Sequence, residues 1–170
     1  SRPWTVGAVL WCALAASLAQ ARADDPPYTK SAHMLPMRDN VRLATDVFVP
    51  AGRRGPFPAI LVRTPYNKDN VGPKLAAVVC RRGYAVVAQD LRGRFASEGD
   101  DALVFRNDNW RGRTDGHDTL RWIDENSLFL DRVGTWGGSA LGIVQNMQAP
   151  RAPSALRAQF VVVAFSSMYE

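Results

Sequence analysis

Histidine is scarce in this 170-residue chain, which contains only His33 and His117. After Ser139 there is no histidine at all, and the one acidic residue is Glu170. We expect His33 at the outer edge of the fold and His117 near the start of a helix, in a surface or capping role. The C-terminal part of the sequence therefore lacks a histidine that could serve as a general base.

A long uncharged apolar run occurs only near the N-terminus. Residues 6–19 carry no charge, a basic residue precedes them, and Ala21 and Ala23 follow with the small-x-small spacing of a cleavage site. The run is shorter than the roughly 20 residues that cross a bilayer. We predict a signal peptide over residues 1–23 with cleavage after Ala23, a flexible mature N-terminus over residues 24–32, and a secreted or periplasmic protein without a stable membrane span. A retained membrane anchor is the alternative.

Cysteine is equally rare, with two in the chain. Cys12 lies in the predicted signal peptide, so cleavage would leave Cys80 without a partner for an internal disulfide. Cys80 ends the apolar run at residues 74–80, which is typical of a buried helix face. We predict an inert core thiol there rather than a reactive one.

Charge is nearly balanced. The chain has 21 basic and 16 acidic residues, and removal of residues 1–23 would leave 19 basic residues against the same 16. The basic residues are scattered or interleaved with acids, so no stripe could follow a phosphate backbone. Nucleic acid is therefore not an expected partner.

Apolar runs and their breaks predict strands and helices in alternation after an opening hairpin. The hairpin pairs residues 34–38 with 41–49 across Asp39 and Asn40. Further strands are predicted at 59–62, 84–90, 133–136 and 159–165, helices at 74–82, 115–126 and 140–149, and an irregular excursion at 100–113. This order predicts an α/β fold with a mostly parallel sheet and an antiparallel N-terminal hairpin. Ligands of such sheets bind beyond the carboxyl ends of the strands, so the loops with Tyr66, with residues 91–99 and with Ser139 should lie side by side.

The sequence around Ser139 has the form of a nucleophile elbow, a sharp turn between a strand and a helix. Gly137 stands two residues before the serine, where a small residue relieves crowding between the strand and the helix. The usual glycine two residues after the serine is replaced by Leu141, and Gly142 comes one position later. A glycine-rich connection with an incidental serine is the alternative.

Four stretches of the chain together carry a more specific signal, at residues 37–46, 63–68, 83–99 and 115–142. In sequence, order and spacing they resemble the X-prolyl dipeptidyl peptidase and cocaine esterase family of α/β-hydrolases. The resemblance covers roughly residues 33–165. It implies that residues 33–170 are the N-terminal part of an α/β-hydrolase catalytic domain, which a helical cap and a β-sandwich domain accompany in this family.

The resemblance implies a serine hydrolase that cleaves an ester or an amide, of the acyl ester or X-Pro dipeptide type, without a metal or a cofactor. Ser139 would be the nucleophile that forms an acyl-enzyme. The Tyr66 hydroxyl and the backbone N–H of Ala140 would stabilise the oxyanion. Many members have an aromatic residue directly after the nucleophile, so Ala140 implies a different shape for the acyl pocket.

The resemblance also implies that the catalytic acid and histidine lie beyond this sequence, so we expect the 170-residue chain alone to be inactive. The alternative is a non-catalytic secreted binding or scaffold protein that keeps the hydrolase fold. The choice between ester and peptide substrates and the oligomeric state stay open. For the Asp90 and Arg92 side chains we predict a structural role, in which ion pairs and turn geometry fix adjacent loops.

Overall fold

The computed structural model describes residues 25–100, 105–110 and 113–165. The predicted signal peptide and its cleavage site lie outside these residues and stay predictions. No helix within the described ranges is long and apolar enough to cross a membrane.

The described residues form one six-stranded sheet, a two-stranded ribbon and three α-helices. The strands are β1 Tyr28–Pro36, β2 Arg42–Pro50, β3 Phe57–Thr64, β4 Ala85–Asp90, β5 Asp108–Trp110, β6 Arg113–Thr114, β7 Phe129–Gly138 and β8 Leu156–Val162. The helices are α1 Lys68–Val79, α2 Asp115–Glu125 and α3 Ala140–Gln148, with 3₁₀ turns at Cys80–Arg82 and Ala149–Arg151.

The large sheet has the order β1-β2-β4-β3-β7-β8. Strand β2 pairs antiparallel with both β1 and β4, whereas the pairs β3–β4, β3–β7 and β7–β8 are parallel. This arrangement confirms the predicted mixed sheet with an antiparallel N-terminal hairpin. The ribbon of β5 and β6 corrects the end of the excursion predicted to be irregular over residues 100–113, because these two strands pair antiparallel there. Residues 101–104 and 111–112 of that excursion lie outside the described ranges.

The sheet begins earlier than the sequence indicated. Strand β1 starts at Tyr28, inside the segment predicted as a flexible mature N-terminus. The Tyr28 ring packs edge-on against the buried Phe48 ring, with 5.1 Å between their centroids. The Lys30 ammonium lies 2.7 Å from the buried Asp46 carboxylate. These contacts and nine residues of register with β2 correct the prediction for residues 28–32.

Helix α1 also begins earlier than predicted, at Lys68 instead of residue 74. The Asn67 side chain accepts a hydrogen bond from the Asp69 N–H at 2.9 Å and caps the helix, which then continues through Pro73. The helix end agrees with the prediction, since Gly83 adopts the left-handed conformation with φ 88° directly after the 3₁₀ turn.

Two apolar cores lie on opposite faces of the sheet, as the alternation of side chains along each strand requires. On the α2 face, Leu61 and Val87 pack with Leu120 and Ile123. On the α1 face, a second cluster contains Phe48, Val62, Val86, Ala76 and Cys80. The predicted burial of Cys80 is confirmed, and burial raises the pKa of its thiol to about 11, so the unreactive thiol form prevails at neutral pH.

Arg92 joins three separate parts of the fold. Its guanidinium makes two hydrogen bonds to the Asp115 carboxylate, at 2.9 and 2.7 Å, and two to Asp39, at 2.8 and 3.0 Å. Asp115 begins helix α2, and Asp39 lies in the turn between β1 and β2. The Arg92 and Asp115 side chains are 2% and 1% exposed, whereas Asp39 is 42% exposed. The predicted structural role of Arg92 as a connector of loops is confirmed.

Candidate active site

Strands β4, β3 and β7 are neighbours and run parallel, so their carboxyl ends meet at one edge of the sheet. The loop with Tyr66 follows β3, residues 91–99 follow β4, and Ser139 follows β7. The predicted alignment of these three loops is therefore confirmed. In α/β sheets this edge is where ligands bind.

Ser139 occupies the turn between β7 and α3 with φ 53° and ψ −124°. An L-residue rarely adopts these angles, because its Cβ crowds the neighbouring peptide groups. The turn is held on both sides: the Ser139 N–H donates to the Val162 carbonyl at 2.8 Å, and its carbonyl accepts from the N–H groups of Gly142 and Ile143 at 2.9 and 3.0 Å. The residue is exposed, and no hydrogen bond joins its hydroxyl to any other residue that the structure describes. The backbone of Ser139 is therefore fixed on both sides of the turn, while its side chain is exposed.

Gly137 and Gly142, which flank the turn at Ser139, are both packed too closely to carry a Cβ, but against different neighbours. A Cβ on Gly137, whose φ is 151°, would overlap the Cβ of Leu141. A Cβ on Gly142 would lie 2.7 Å from the Cβ of Ala164 and 3.1 Å from Cγ1 of Val161, which follow or belong to β8. Gly137 thus makes room for the leucine that replaces the usual second glycine. Gly142 lets helix α3 approach strand β8.

We expect Gly137→Ala to destabilise the protein by about 1–3 kcal/mol, because it overpacks the contact with Leu141. Truncating Leu141 should not rescue the variant, because Leu141 is itself buried in the core and its Cβ is the first atom met. Gly134→Ala on the same strand is the matched control, because its nearest neighbour would be the Ala158 carbonyl at 3.9 Å. Thermal and denaturant unfolding of the two alanine variants measures this, and an equal loss for Gly134→Ala and Gly137→Ala would contradict it.

Ala140 is the first residue of helix α3, and its side chain is buried. The first N–H groups of a helix have no partner within the helix, so the Ala140 N–H is available to an external acceptor. The positive end of the helix dipole lies at the same place. This end of α3 therefore favours a negative charge beside Ser139.

Tyr66 lies in the loop after β3 with 53% of its surface exposed. Its main chain is anchored, because its N–H donates to the Thr64 hydroxyl at 2.9 Å. Its ring and Gly138, the residue before Ser139, line the same cavity of about 920 Å³. No hydrogen bond joins the phenol hydroxyl to another residue in the described ranges, so Tyr66 shares a cavity with the residue before Ser139 and its hydroxyl has no partner there.

Asp90, at the end of β4, binds one backbone N–H group at the start of α1 and another in the loop after β4. Its carboxylate accepts hydrogen bonds from the Lys68 N–H at 2.7 Å and from the Ala96 N–H at 3.5 Å. It thereby ties the start of α1, two residues after Tyr66, to residues 91–99. Burial raises the pKa of Asp90, although these backbone donors act in the opposite direction. The structural role predicted for Asp90 is confirmed.

A buried charged pair beneath this edge was not predicted from the sequence. Arg63 in β3 donates to the Gln89 side chain at 2.7 Å and to the Asp108 carboxylate at 2.6 Å, and both charged side chains are 1% exposed. The same Asp108 oxygen accepts the Gly116 N–H at 2.6 Å, while burial raises the pKa of the carboxyl. Arg63 is part of the motif that contains Tyr66, which was the one available signal.

Neither histidine is bonded to Ser139. His33 lies on the edge strand β1, where its ring shares a hydrogen bond of 2.9 Å with the Ser31 hydroxyl. His117, in the first turn of α2, contacts the Arg151 carbonyl at 2.5 Å. Within the residues that the structure describes, no cluster of three or more His, Cys, Asp or Glu side chains could hold a metal ion.

Comparison with known proteins now identifies the family. Residues 39–170 match the family model described as X-Pro dipeptidyl-peptidase (S15 family). The chain belongs to this family. It is 40% identical to cocaine esterase from Rhodococcus sp. (strain MB1 Bresler) over 141 residues, which are 80% of this chain and 24% of that protein.

Solved structures support the same conclusion for this S15-family chain. An α-amino acid ester hydrolase is 31% identical with a TM-score of 0.68, over 78% of this chain and 25% of that one. An aminopeptidase from a marine sediment Thaumarchaeota archaeon is 28% identical with a TM-score of 0.66, over 78% and 25%. The predicted α/β-hydrolase fold and the predicted family are confirmed. The chain spans about a quarter of the length of these relatives.

Proposed function

We propose that this chain carries the nucleophile and the oxyanion site of a serine hydrolase that cleaves an ester or an amide. One observation carries the proposal: Ser139 is held at a positive φ of 53° with an exposed, unbonded hydroxyl, at the edge where three parallel strands end. A strained turn is retained in a fold only where the surrounding structure holds it, and such turns cluster at active sites. We further propose that the protein is secreted or periplasmic.

In the proposed reaction the Ser139 oxygen attacks the acyl carbon while a general base takes its proton. The carbonyl oxygen becomes an oxyanion, to which the Ala140 N–H and the Tyr66 hydroxyl donate. Collapse of this intermediate expels the alcohol or amine and leaves an acyl-enzyme, which water then hydrolyses. Within the described residues the chain supplies the nucleophile and the two donors, and the base and its acid would come from outside them.

The relatives suggest the class of substrate. A cocaine esterase and an α-amino acid ester hydrolase are named for ester cleavage, and the family is named for X-Pro peptides. Both bonds develop the same oxyanion, so the described geometry serves either. Turnover of an aryl acetate compared with an Ala-Pro anilide by the full-length protein would show which bond it prefers.

Labelling by a fluorophosphonate tests the nucleophile. The full-length protein should be modified, with the phosphonyl group on Ser139 in peptide mass spectra. Ser127 is a control for nonspecific reaction and should stay unmodified. Failure of the folded full-length protein to react at Ser139 would reject the proposal.

We expect Tyr66→Phe to lower kcat roughly 10²- to 10³-fold, because a single oxyanion donor is typically worth that much. The change removes one hydroxyl and keeps the ring that lines the cavity. KM should change little, since the donor acts mainly in the transition state. The matched control is Tyr84→Phe, which alters another partly exposed tyrosine outside the loop. Unchanged kcat in Tyr66→Phe would remove Tyr66 from the oxyanion site.

A non-catalytic binding or scaffold protein is the second candidate. It is favoured by the placement of His33 and His117, since neither is hydrogen-bonded to Ser139. This candidate expects neither ester turnover nor phosphonate labelling by the full-length protein. The same two assays therefore separate it from the hydrolase.

A further inference from the structure

Gln145 in helix α3 is a buried polar residue that the proposed chemistry does not use. It is 3% exposed and lies two turns after Ser139 on the helix that begins at the elbow. A buried side-chain amide is unfavourable unless its donors and acceptor are all satisfied. At Gln145 the partners all belong to the elbow or to the two strands beside it.

The Gln145 Nε2 group faces three backbone carbonyls, those of Gly137 at 3.1 Å, Leu141 at 3.2 Å and Phe160 at 3.3 Å. Its Oε1 accepts from the Thr135 hydroxyl at 2.7 Å. Since a carbonyl can only accept, the three carbonyls fix which end of the amide carries the hydrogens.

Two of these carbonyls bracket the nucleophile. Gly137 lies two residues before Ser139 in β7, and Leu141 lies two residues after it in α3. One amide group therefore ties the strand entering the turn to the helix leaving it. The Thr135 hydroxyl in β7 and the Phe160 carbonyl in β8 complete the hydrogen bonds of the amide without contacting the elbow. We call the hydrogen bonds from the Gln145 amide to the carbonyls of Gly137 and Leu141 the brace. The brace spans the backbone that holds Ser139 at its positive φ.

We infer that Gln145 is a positioning residue for the nucleophile elbow. It sets the direction of the Ser139 hydroxyl and of the Ala140 N–H by fixing the peptide groups on either side of them. The inference rests on the proposed function for its catalytic consequence, whereas the brace itself is a property of the fold. Displacement of a reacting group by about 1 Å can cost roughly 100-fold in rate, so a brace of this kind affects the chemical step.

Gln145→Glu and Thr135→Val test the two ends of the Gln145 amide separately. Gln145→Glu has the same shape and keeps an acceptor for Thr135, but its carboxylate faces the carbonyls of Gly137, Leu141 and Phe160 without a donor. Thr135→Val is the matched control, because it removes the bond at Oε1 and leaves the bonds to the elbow intact. Gln145→Met keeps the length of the side chain and removes every hydrogen bond.

In the full-length protein we expect Gln145→Met and Gln145→Glu to lower kcat and the rate of fluorophosphonate labelling at least about tenfold, with KM changed less than about twofold. Thr135→Val should retain both rates within about threefold. Rates are referred to the folded fraction of each protein. Equal kcat in all variants would overturn the inference, and so would an equal loss in Thr135→Val and Gln145→Met.

Hydrogen exchange gives a readout that does not depend on catalysis. Gln145→Met should speed exchange of the Ser139, Gly142 and Ile143 amides and leave the amides of α2 unchanged. If wild-type protein does not react with the fluorophosphonate but Gln145→Met speeds exchange of these amides, the proposed function is rejected and the brace is supported. If wild-type protein reacts but Gln145→Met does not change the exchange, the brace is rejected and the proposed function is supported. Should Gln145→Met fail to fold, Gln145→Asn, which withdraws the amide by one methylene, replaces it in both measurements with the same expected outcomes.

Discussion

Ser139→Ala and Ser139→Gly should both lower kcat of the full-length protein by roughly 10⁴- to 10⁶-fold, because either change removes the oxygen of the proposed nucleophile. The measurement is ester turnover together with fluorophosphonate labelling. Turnover within about tenfold of the wild-type rate would place the nucleophile elsewhere.

The two variants should differ in stability although they are equally inactive. Alanine keeps the Cβ that makes φ 53° and ψ −124° unfavourable, and glycine removes it. Relief of such strain should stabilise the folded protein by about 1–3 kcal/mol. The greater entropy of the unfolded glycine chain reduces this gain by about 0.5–1 kcal/mol. We therefore expect Ser139→Gly to unfold at a higher denaturant concentration than Ser139→Ala. The reverse order would show that the turn is not strained.

Arg92→Met should be the most destabilising of the substitutions considered, by about 3–5 kcal/mol, because it leaves the Asp115 carboxylate buried without its partner. The guanidinium bonds to Asp39 are lost as well. Arg92 lowers the pKa of Asp39, so in this variant that pKa should rise toward its ordinary value, which NMR titration can follow if the protein stays folded.

Two controls make the Arg92 experiment specific. Asp39→Asn affects the exposed partner and should cost only about 0–1 kcal/mol. The double variant Arg92→Met with Asp115→Leu removes both buried charges and should regain much of the stability lost in Arg92→Met. If the double variant is no more stable than Arg92→Met, the cost comes from lost packing and not from an unpaired charge.

The pattern of apolar residues correctly predicted the strands and helices in which that pattern is unbroken. Strands β3 and β4 and helices α2 and α3 are found close to their predicted positions, because each has a continuous apolar run or a clear amphipathic face. Strand β7 is longer than predicted, since the exposed Asp131 and Arg132 interrupt its apolar pattern. Strand β8 occupies Leu156–Val162 instead of residues 159–165, because its position follows from pairing with β7 and not from its own sequence.

The candidate site could be predicted only where its residues stand in local motifs. Ser139 and Tyr66 could be proposed from the sequence because each lies in a short, characteristic stretch after a predicted strand. Gln145 could not be proposed in the same way, and Arg63 was available only as a member of the Tyr66 motif, because a polar side chain in a sequence gives no sign of being buried. Their burial depends on partners such as Asp108, 45 residues away from Arg63, which only the folded sheet brings near.

Strand β3 lies at the centre of the sheet between β4 and β7, although it precedes both in the sequence. On the ribosome, β3 can pair with β4 once Asp90 has left the exit tunnel, but its other edge stays open until β7 follows at Phe129–Gly138. Parallel pairing of distant strands is slow and exposes apolar edges until it is complete. Arrest-peptide force measurements on nascent chains should therefore show the main folding signal only after Gly138 has emerged. Synthesis thus completes the centre of the sheet at nearly the same moment at which Ser139, the proposed nucleophile, leaves the ribosome.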